Sequence, residues 1–516
     1  MNRLRRFIFN GIIMAVVSVF MRSVAVAFNV YISNKIGAVA MGLFSLISTV
    51  YGFGITFATS GINLATTRVV AQAIGDTSGK DGIKTAKNTG NVRCIMTRCI
   101  VYSLFFSVIA TVVLWCFADF LGTSVLRDIR TVRSLRILSL TFIPISLSSV
   151  FGGYFSAIRQ VSKNALTAVV GQGVKIYASI ALLSAVFASD VESACVAVVL
   201  GGAIAELLSF LLALILYLCD RPKKKSSIPD LTKKKATRDV LGNSLPLAFS
   251  TYMRSALVTI EHILIPRGLE KSGSSKDLSL AAYGTVSGMV FPLVLFPSAV
   301  SAAFAGLLIP EVAESSEVGD TRRIHGIINT VMETVLTFSI GCAGVIMSFS
   351  LELGRTIYPN ADDAGRFILM IAPLIPVMYL DTAIDAMLKG MGEHVYSMCV
   401  NIADAFISVI LVALLLPRMG IYGYIVTVYF TEILNATLSI TRLLSKSNVK
   451  TRAVLWVSRA LLCVVAATRL VHLIPLSGVW LRIVLAGLAY VLFMTVCGGI
   501  KPRVVADRVR YIVRER

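Results

Sequence analysis

The chain has 516 residues, of which 56% are hydrophobic and only 15% charged, with a formal net charge of +21. A soluble protein carries about a quarter of its residues charged to keep its surface wet, so this composition excludes a soluble enzyme, a secreted disulfide scaffold and a disordered tail. It predicts an all-α polytopic membrane protein.

Apolar runs of about 18 residues or more, long enough to cross a bilayer core, recur from Phe7 onward. Bounded by charges and turn residues, they predict about fourteen transmembrane helices. The first six lie near 7–32, 37–60, 95–119, 137–158, 166–188 and 194–219. The next six lie near 243–265, 281–309, 326–349, 366–388, 395–416 and 420–443, and two more near 453–474 and 477–498. The opening Met-Asn-Arg-Leu-Arg-Arg is like the start of a signal peptide. The run behind it is too long, contains Arg22 and lacks a small-residue cleavage site, so it is expected to stay as the first helix.

Placing the N-terminus in the cytoplasm puts most loop Lys and Arg on that side. The main contributors are the connection with Lys223, Lys224, Lys225, Lys233, Lys234 and Lys235, and the tail from Lys501 to Arg516. One loop disagrees, since Arg127, Arg130, Arg133 and Arg136 fall outside. An even span count leaves both termini cytoplasmic. The basic excess is then a topology device and an attraction for anionic lipids. No nucleic-acid partner is expected, because no soluble domain exists to shape a groove.

The nine cysteines and four histidines show no metal-ligand spacing, and no phosphate loop, nucleophile elbow or His-Glu-x-x-His is present. No catalytic residue, metal or organic cofactor is expected; H⁺ or Na⁺ is the one candidate coupling species.

A constant offset pairs Arg22-Ser23 with Arg254-Ser255, Phe117 with Phe349, Leu121-Gly122 with Leu353-Gly354, and Ile143-Pro144 with Ile375-Pro376. It also superposes six spans on six. An even unit enters the membrane the same way twice, which is a parallel repeat with the substrate path between the copies. The expected organisation is an N-lobe at 1–220, a basic cytoplasmic linker at 221–242 and a C-lobe at 243–445. Two extra helices at 446–499 and a basic cytoplasmic tail at 500–516 complete it.

Several motifs are similar to one family. Asn34-Lys35-Ile36-Gly37-Ala38, Gly42-Leu43-Phe44 and Thr59-Ser60-Gly61-Ile62 open the match. Ile265-Pro266-Arg267, Ala282-Tyr283-Gly284, Phe296-Pro297-Ser298 and Ile309-Pro310-Glu311 continue it. Leu388-Lys389-Gly390-Met391-Gly392, Asn401, and Leu416-Pro417 before Gly420-Ile421-Tyr422-Gly423 complete it. In order, these resemble the polysaccharide-exporter and stage V sporulation protein B branch of the multidrug/oligosaccharidyl-lipid/polysaccharide superfamily, related to lipid II flippases. The resemblance implies a monomeric flippase of the bacterial cytoplasmic membrane, with two six-helix lobes around a central cavity. Its partner would be a polyprenyl-linked saccharide in peptidoglycan, capsule or spore-envelope assembly. The family commonly carries Glu-Gln-x-x-Arg on its fifth helix; this chain has Gly171-Gln172-Gly173-Val174-Lys175.

Charges inside spans narrow the chemistry. A Lys or Arg at the bilayer centre costs at least about 2.5–3.5 kcal/mol, so it faces a cavity or a partner. Arg22, Arg254 and Lys175, with Gln172, Asn29 and Glu261 as polar neighbours, are the headgroup candidates, because guanidinium bonds two phosphate oxygens at once. The alternative pairs Lys175 with Glu206 and Arg254 with Glu261. Asp381 and Asp385 share a helix face and resist double ionisation when close in low dielectric. With Asp404, Asn401 and Glu432 they are the ion-coupling candidates. A cation-coupled multidrug exporter, a non-transporting scaffold in envelope or spore assembly, and a membrane glycosyltransferase are the other readings. The last would need a long aqueous loop, which is absent from the sequence.

Overall fold

The computed structural model describes residues 3–75, 85–185, 190–220, 233–449, 451–475 and 478–498. Among them every regular element is helical. The first half holds α1 (Arg3–Thr59), α2 (Ile62–Gly75), α3 (Thr85–Phe120), α4 (Val132–Ser139), α5 (Phe142–Ala157), α6 (Val161–Ala185) and α7 (Val191–Asp220). Next come α8 (Lys233–Lys271), α9 (Lys276–Tyr283), α10 (Phe291–Leu295), α11 (Ser298–Val318), α12 (Thr321–Ser348) and α13 (Ser350–Ile357). The chain continues through α14 (Ala364–Ile371), α15 (Ile375–Gly390), α16 (His394–Met419), α17 (Ile421–Ser447), α18 (Ala453–Leu473) and α19 (Val479–Val496).

Within the described residues, each of the fourteen expected segments lies mainly on helix. Ten of these helices are long and apolar enough to cross a membrane, or eleven if α4 and α5, bent by 44°, make one span. Lys223, Lys224 and Lys225 of the expected linker, and the tail from Lys501, lie outside the described residues. The chain divides into two compact units, Leu43–Leu264 and Met1–Gly42 with Ile265–Arg516. These cuts fall inside α1 and α8, not at the 221–242 connection.

The first two expected spans join without a loop. Helix α1 runs through both and breaks only at Gly37, with φ 80° and ψ 171°, a backbone open to glycine because it lacks Cβ. The break frees the Asn34 carbonyl, which accepts from Asn360 Nδ2 at 3.2 Å. Asn34 Nδ2 in turn donates to the Ile357 carbonyl at 2.7 Å, where α13 ends. Both bonds satisfy backbone groups that helix ends leave unpaired. A second break separates α1 from α2, at Ser60 (φ 45°) and Gly61 (φ 68°). The helix then continues as α2, an element beyond the expected end at 60. Val69 and Val70 of α2 pack with Ile95 and Cys99 of α3, Phe151 and Phe155 of α5, and Ala213 of α7 in one core cluster.

The duplication is visible in each unit. Helices α4 and α14 stand in register under the sequence offset, each 8 residues long. Each is followed by a short break and then by a 16-residue helix, α5 or α15. Pro144 and Pro376 lie in the first turn of those helices, where a missing N–H costs nothing. The Leu-Gly pairs share a cause as well. A Cβ on Gly122 would overlap Val132 at the start of α4, and one on Gly354 would overlap the Gly365 backbone of α14. Both glycines let the next short helix press against the chain.

The arginine-rich loop between α3 and α4 is partly neutralised. Arg130 forks onto Asp128, with Nε at 3.0 Å and Nη2 at 2.8 Å, and Arg136 pairs with Asp119 at 2.5 Å. Two of its four arginines therefore carry internal counter-charges.

Helices α18 and α19 cover α12. A Cβ on Gly341 would overlap Tyr490, and one on Gly344 would overlap Val464. The Tyr490 hydroxyl donates to the Thr337 carbonyl at 2.6 Å, and Arg482 pairs with Glu352 at 2.7 Å. Phe349, stacked on His472 at 4.9 Å, is 1% exposed, whereas its repeat partner Phe117 is 55% exposed. At the positions of Gly341 and Gly344 the first repeat has the larger residues Ile109 and Val112.

Candidate functional site

In the Leu43–Leu264 unit, Arg254 lies near the middle of α8, and its neighbours fix the helix register. The Tyr252 hydroxyl donates to Ser60 Oγ at 2.5 Å, and Ser255 Oγ donates to Thr56 Oγ1 at 3.4 Å. Tyr252 and Ser255 thus share the face turned to α1, while Arg254 is exposed. Among the described residues no ion pair within 4.0 Å involves Arg254, so the expected alternative of a direct Glu261 pair is not formed. Glu261 itself is half-buried.

Lys175 has a counter-charge. Helices α6 and α7 approach closely, since a Cβ on Gly201 would overlap the Ser179 backbone and one on Gly171 the Ser209 hydroxyl. This brings Lys175 of α6 within electrostatic reach of Glu206 of α7. Their charged atoms are not in an ion pair within 4.0 Å. Glu206 also acts on Tyr51, whose hydroxyl meets Thr141 Oγ1 at 2.7 Å in the break between α4 and α5. Gln172 is half-buried one turn before Lys175. The result is a polar group of Tyr51, Thr141, Lys175 and Glu206 inside this unit.

In the other unit Arg22 of α1 is exposed and makes no ion pair within 4.0 Å among the described residues. It lies close enough to Tyr379 of α15 to act on it electrostatically. Tyr379 is buried, and its hydroxyl donates to the Val294 carbonyl at 2.7 Å. Asn29 is half-buried two turns after Arg22, and its Oδ1 accepts no hydrogen bond among the described residues.

The acids expected to couple an ion are placed differently from one another. Both oxygens of Asp385 are engaged, Oδ2 by Lys389 Nζ at 2.5 Å and Oδ1 by the Ser397 hydroxyl. Asn401 Nδ2 donates to the Ser397 carbonyl at 2.8 Å. Asp385 and Ser397 thus tie α15 to α16, while Asn401 bonds back within α16. Asp381, Asp404 and Glu432 are half-buried on α15, α16 and α17. No group of three or more His, Cys, Asp or Glu among the described residues is arranged to hold a metal ion.

One hub was not legible in the sequence. Ser60 Oγ, fully buried, meets the Tyr102 hydroxyl at 2.8 Å as well as that of Tyr252. The residues are far apart in sequence, and the single clue is the Thr59-Ser60-Gly61 stretch that ends a span.

Residues 8–316 match the profile of a family described as "Polysaccharide biosynthesis protein". Stage V sporulation protein B of Bacillus subtilis (strain 168) is 24% identical over 403 residues, which cover 76% of this chain and 75% of that one. Among solved structures, the inward closed conformation of lipid II flippase MurJ superposes with a TM-score of 0.71 at 13% identity, covering 94% of this chain and 98% of that one. An inward-facing multidrug resistance MATE transporter of the MOP superfamily gives a TM-score of 0.65 at 15% identity, covering 84% and 98%. At these identities the solved structures speak for a shared fold.

Proposed function

Because the chain belongs to the polysaccharide biosynthesis protein family, we propose that it flips an anionic polyprenyl-phosphate- or pyrophosphate-linked saccharide across the bacterial cytoplasmic membrane by alternating access. The names of its relatives, a sporulation protein and a lipid II flippase, support a lipid-linked envelope precursor as the substrate class. The observation that carries the reading is the pair of exposed span arginines, Arg22 and Arg254. They occupy equivalent repeat positions, and neither is in an ion pair among the described residues.

Uncompensated guanidinium at that depth is unfavourable by at least about 2.5–3.5 kcal/mol unless water or an anion attends it. Phosphate supplies the anion, and the fork of each arginine matches its oxygens. Lys175, balanced by Glu206, tunes the field without adding a full charge, and Gln172, Asn29 and Glu261 supply hydrogen bonds to sugar or phosphate. No bond is made or broken in the cargo; exchanging water for fixed donors around the phosphates is the catalysis. Both termini are taken as cytoplasmic, so the cargo moves from inner to outer leaflet.

For coupling we assign H⁺ or Na⁺ to Asp381, Asp404 and Glu432, with the Asn401 side-chain carbonyl as a further oxygen ligand for Na⁺; Asp385 holds helices together. The test is transport of polyprenyl-pyrophosphoryl saccharide in proteoliposomes. R22Q/R254Q is expected to abolish it while D385N, with Lys389 retained, lowers stability more than rate. Full transport by the double variant would overturn the proposal.

A further inference from the structure

The loop between α3 and α4 carries more charge than its fold uses. Arg130 and Arg136 are spent on Asp128 and Asp119. Arg127 and Arg133 remain exposed, and neither joins an ion pair within 4.0 Å among the described residues. Arg127 has a left-handed backbone at φ 56°, which disfavours any side chain with a Cβ. It is clamped there by the Leu126 N–H on the Leu121 carbonyl at 2.7 Å and the Asp128 N–H on the Gly122 carbonyl at 2.8 Å. Glycine or asparagine would sit there with less strain, so the backbone itself does not call for an arginine.

The second repeat places its own short helix at the equivalent position without these cations. Under the offset, Arg127, Arg130, Arg133 and Arg136 correspond to Pro359, Asp362, Gly365 and Ile368. Helix α14 forms in register with α4 regardless. The arginines are therefore not a requirement of the architecture. Around them the apolar side chains are bare: Ile129 is 72% exposed, and Phe117 and Phe120 at the end of α3 are 55% and 57% exposed. Cations beside exposed aromatic and aliphatic groups at the end of a span have the chemistry of the membrane–water interface.

We propose that this rim is a docking surface for anionic phospholipid headgroups, with Arg127 and Arg133 binding the phosphates and Ile129, Phe117 and Phe120 seated among the adjoining acyl chains. Guanidinium takes two phosphate oxygens at once, and each cation near an anionic surface is worth about fivefold in association. This surface stands apart from the span arginines and does not depend on the identity of the cargo.

Trp115 of α3, 46% exposed, reports on the nearest lipid. The full chain with W456F and W480F is reconstituted in phosphatidylcholine vesicles doped with dibrominated phosphatidylglycerol or dibrominated phosphatidylcholine. The brominated phosphatidylglycerol is expected to quench Trp115 several-fold more effectively, with the preference lost in high salt. R127Q/R133Q should bring the ratio of the two to one. R127G relieves the backbone, so it should keep or raise thermal stability while lowering the ratio, an outcome that loss of fold does not mimic. Equal quenching by both lipids in the parent, or an unchanged preference in R127Q/R133Q, overturns the proposal.

Discussion

Gly42 of α1 and Gly284, just beyond α9, touch backbone to backbone. A Cβ on Gly284 would overlap the Ala38 carbonyl oxygen and the Gly42 nitrogen, and one on Gly42 would overlap the Leu280 carbonyl. Nothing flexible lies in the way, so the segments must separate to admit even a methyl group. G284A is expected to cost about 1–3 kcal/mol, the usual range for overpacking a close contact, and G284V more. Thermal unfolding in detergent checks this; an unchanged midpoint for G284V would show that the contact is loose.

Ser60 combines strain with service. Its positive φ costs about 1–2 kcal/mol relative to glycine, while its hydroxyl meets both Tyr102 and Tyr252. S60A removes the hydroxyl, keeps the strain and takes one hydrogen-bond partner from each phenol, leaving Tyr102 on the Ser60 carbonyl and Tyr252 on the Phe57 carbonyl, at about 1–3 kcal/mol. S60G loses the same hydrogen bonds and relieves the backbone. The expected order of stability is therefore wild type, then S60G, then S60A, with about 1 kcal/mol between the two variants. Denaturation of the purified variants decides it, and S60A matching S60G would remove the strain argument.

Glu393, between α15 and α16, accepts from Arg442 at 2.7 Å and pairs with Lys446 at 3.1 Å on α17. Hydrogen bonds from Arg442 and Lys446 hold its carboxyl below the ordinary value of 4.5. A depressed folded-state value means that the contact contributes fully above the ordinary carboxylate range and fades as pH falls through the lowered value. Wild-type melting temperature is expected to drop between about pH 5 and pH 3 by more than that of E393Q. Parallel profiles for the two proteins would rule out the contribution.

Helix content and the repeat were legible because hydropathy and offset are properties of long windows. Every expected span lies mainly on helix, and α4 and α14 keep the register read from Ile143-Pro144 and Ile375-Pro376. The family-like motifs turned out to carry backbone geometry: Gly37 breaks α1, Asn34 caps α13, and Gly42 meets Gly284. Charged candidates were harder. That Asp385 belongs to Lys389 and Ser397 depends on how α16 lies on α15, which spacing within one helix does not encode. The Lys175–Glu206 relation was legible as an option because both residues sit at mid-span in neighbouring helices. The Ser60–Tyr102–Tyr252 hub had no periodic signature at all.

The glycines on α12 beneath α18 and α19 mean that the two repeat-equivalent surfaces have different neighbours. Val112 is exposed and Ile109 half-buried, whereas Gly341 and Gly344 are upholstered by Tyr490 and Val464. A chain stopped after Asn448 would present notches to the lipid that acyl tails fill poorly. Removing α18 and α19 is thus expected to destabilise α12, and an equivalent hairpin placed beside α3 would meet Ile109 and Val112 in place of the two glycines.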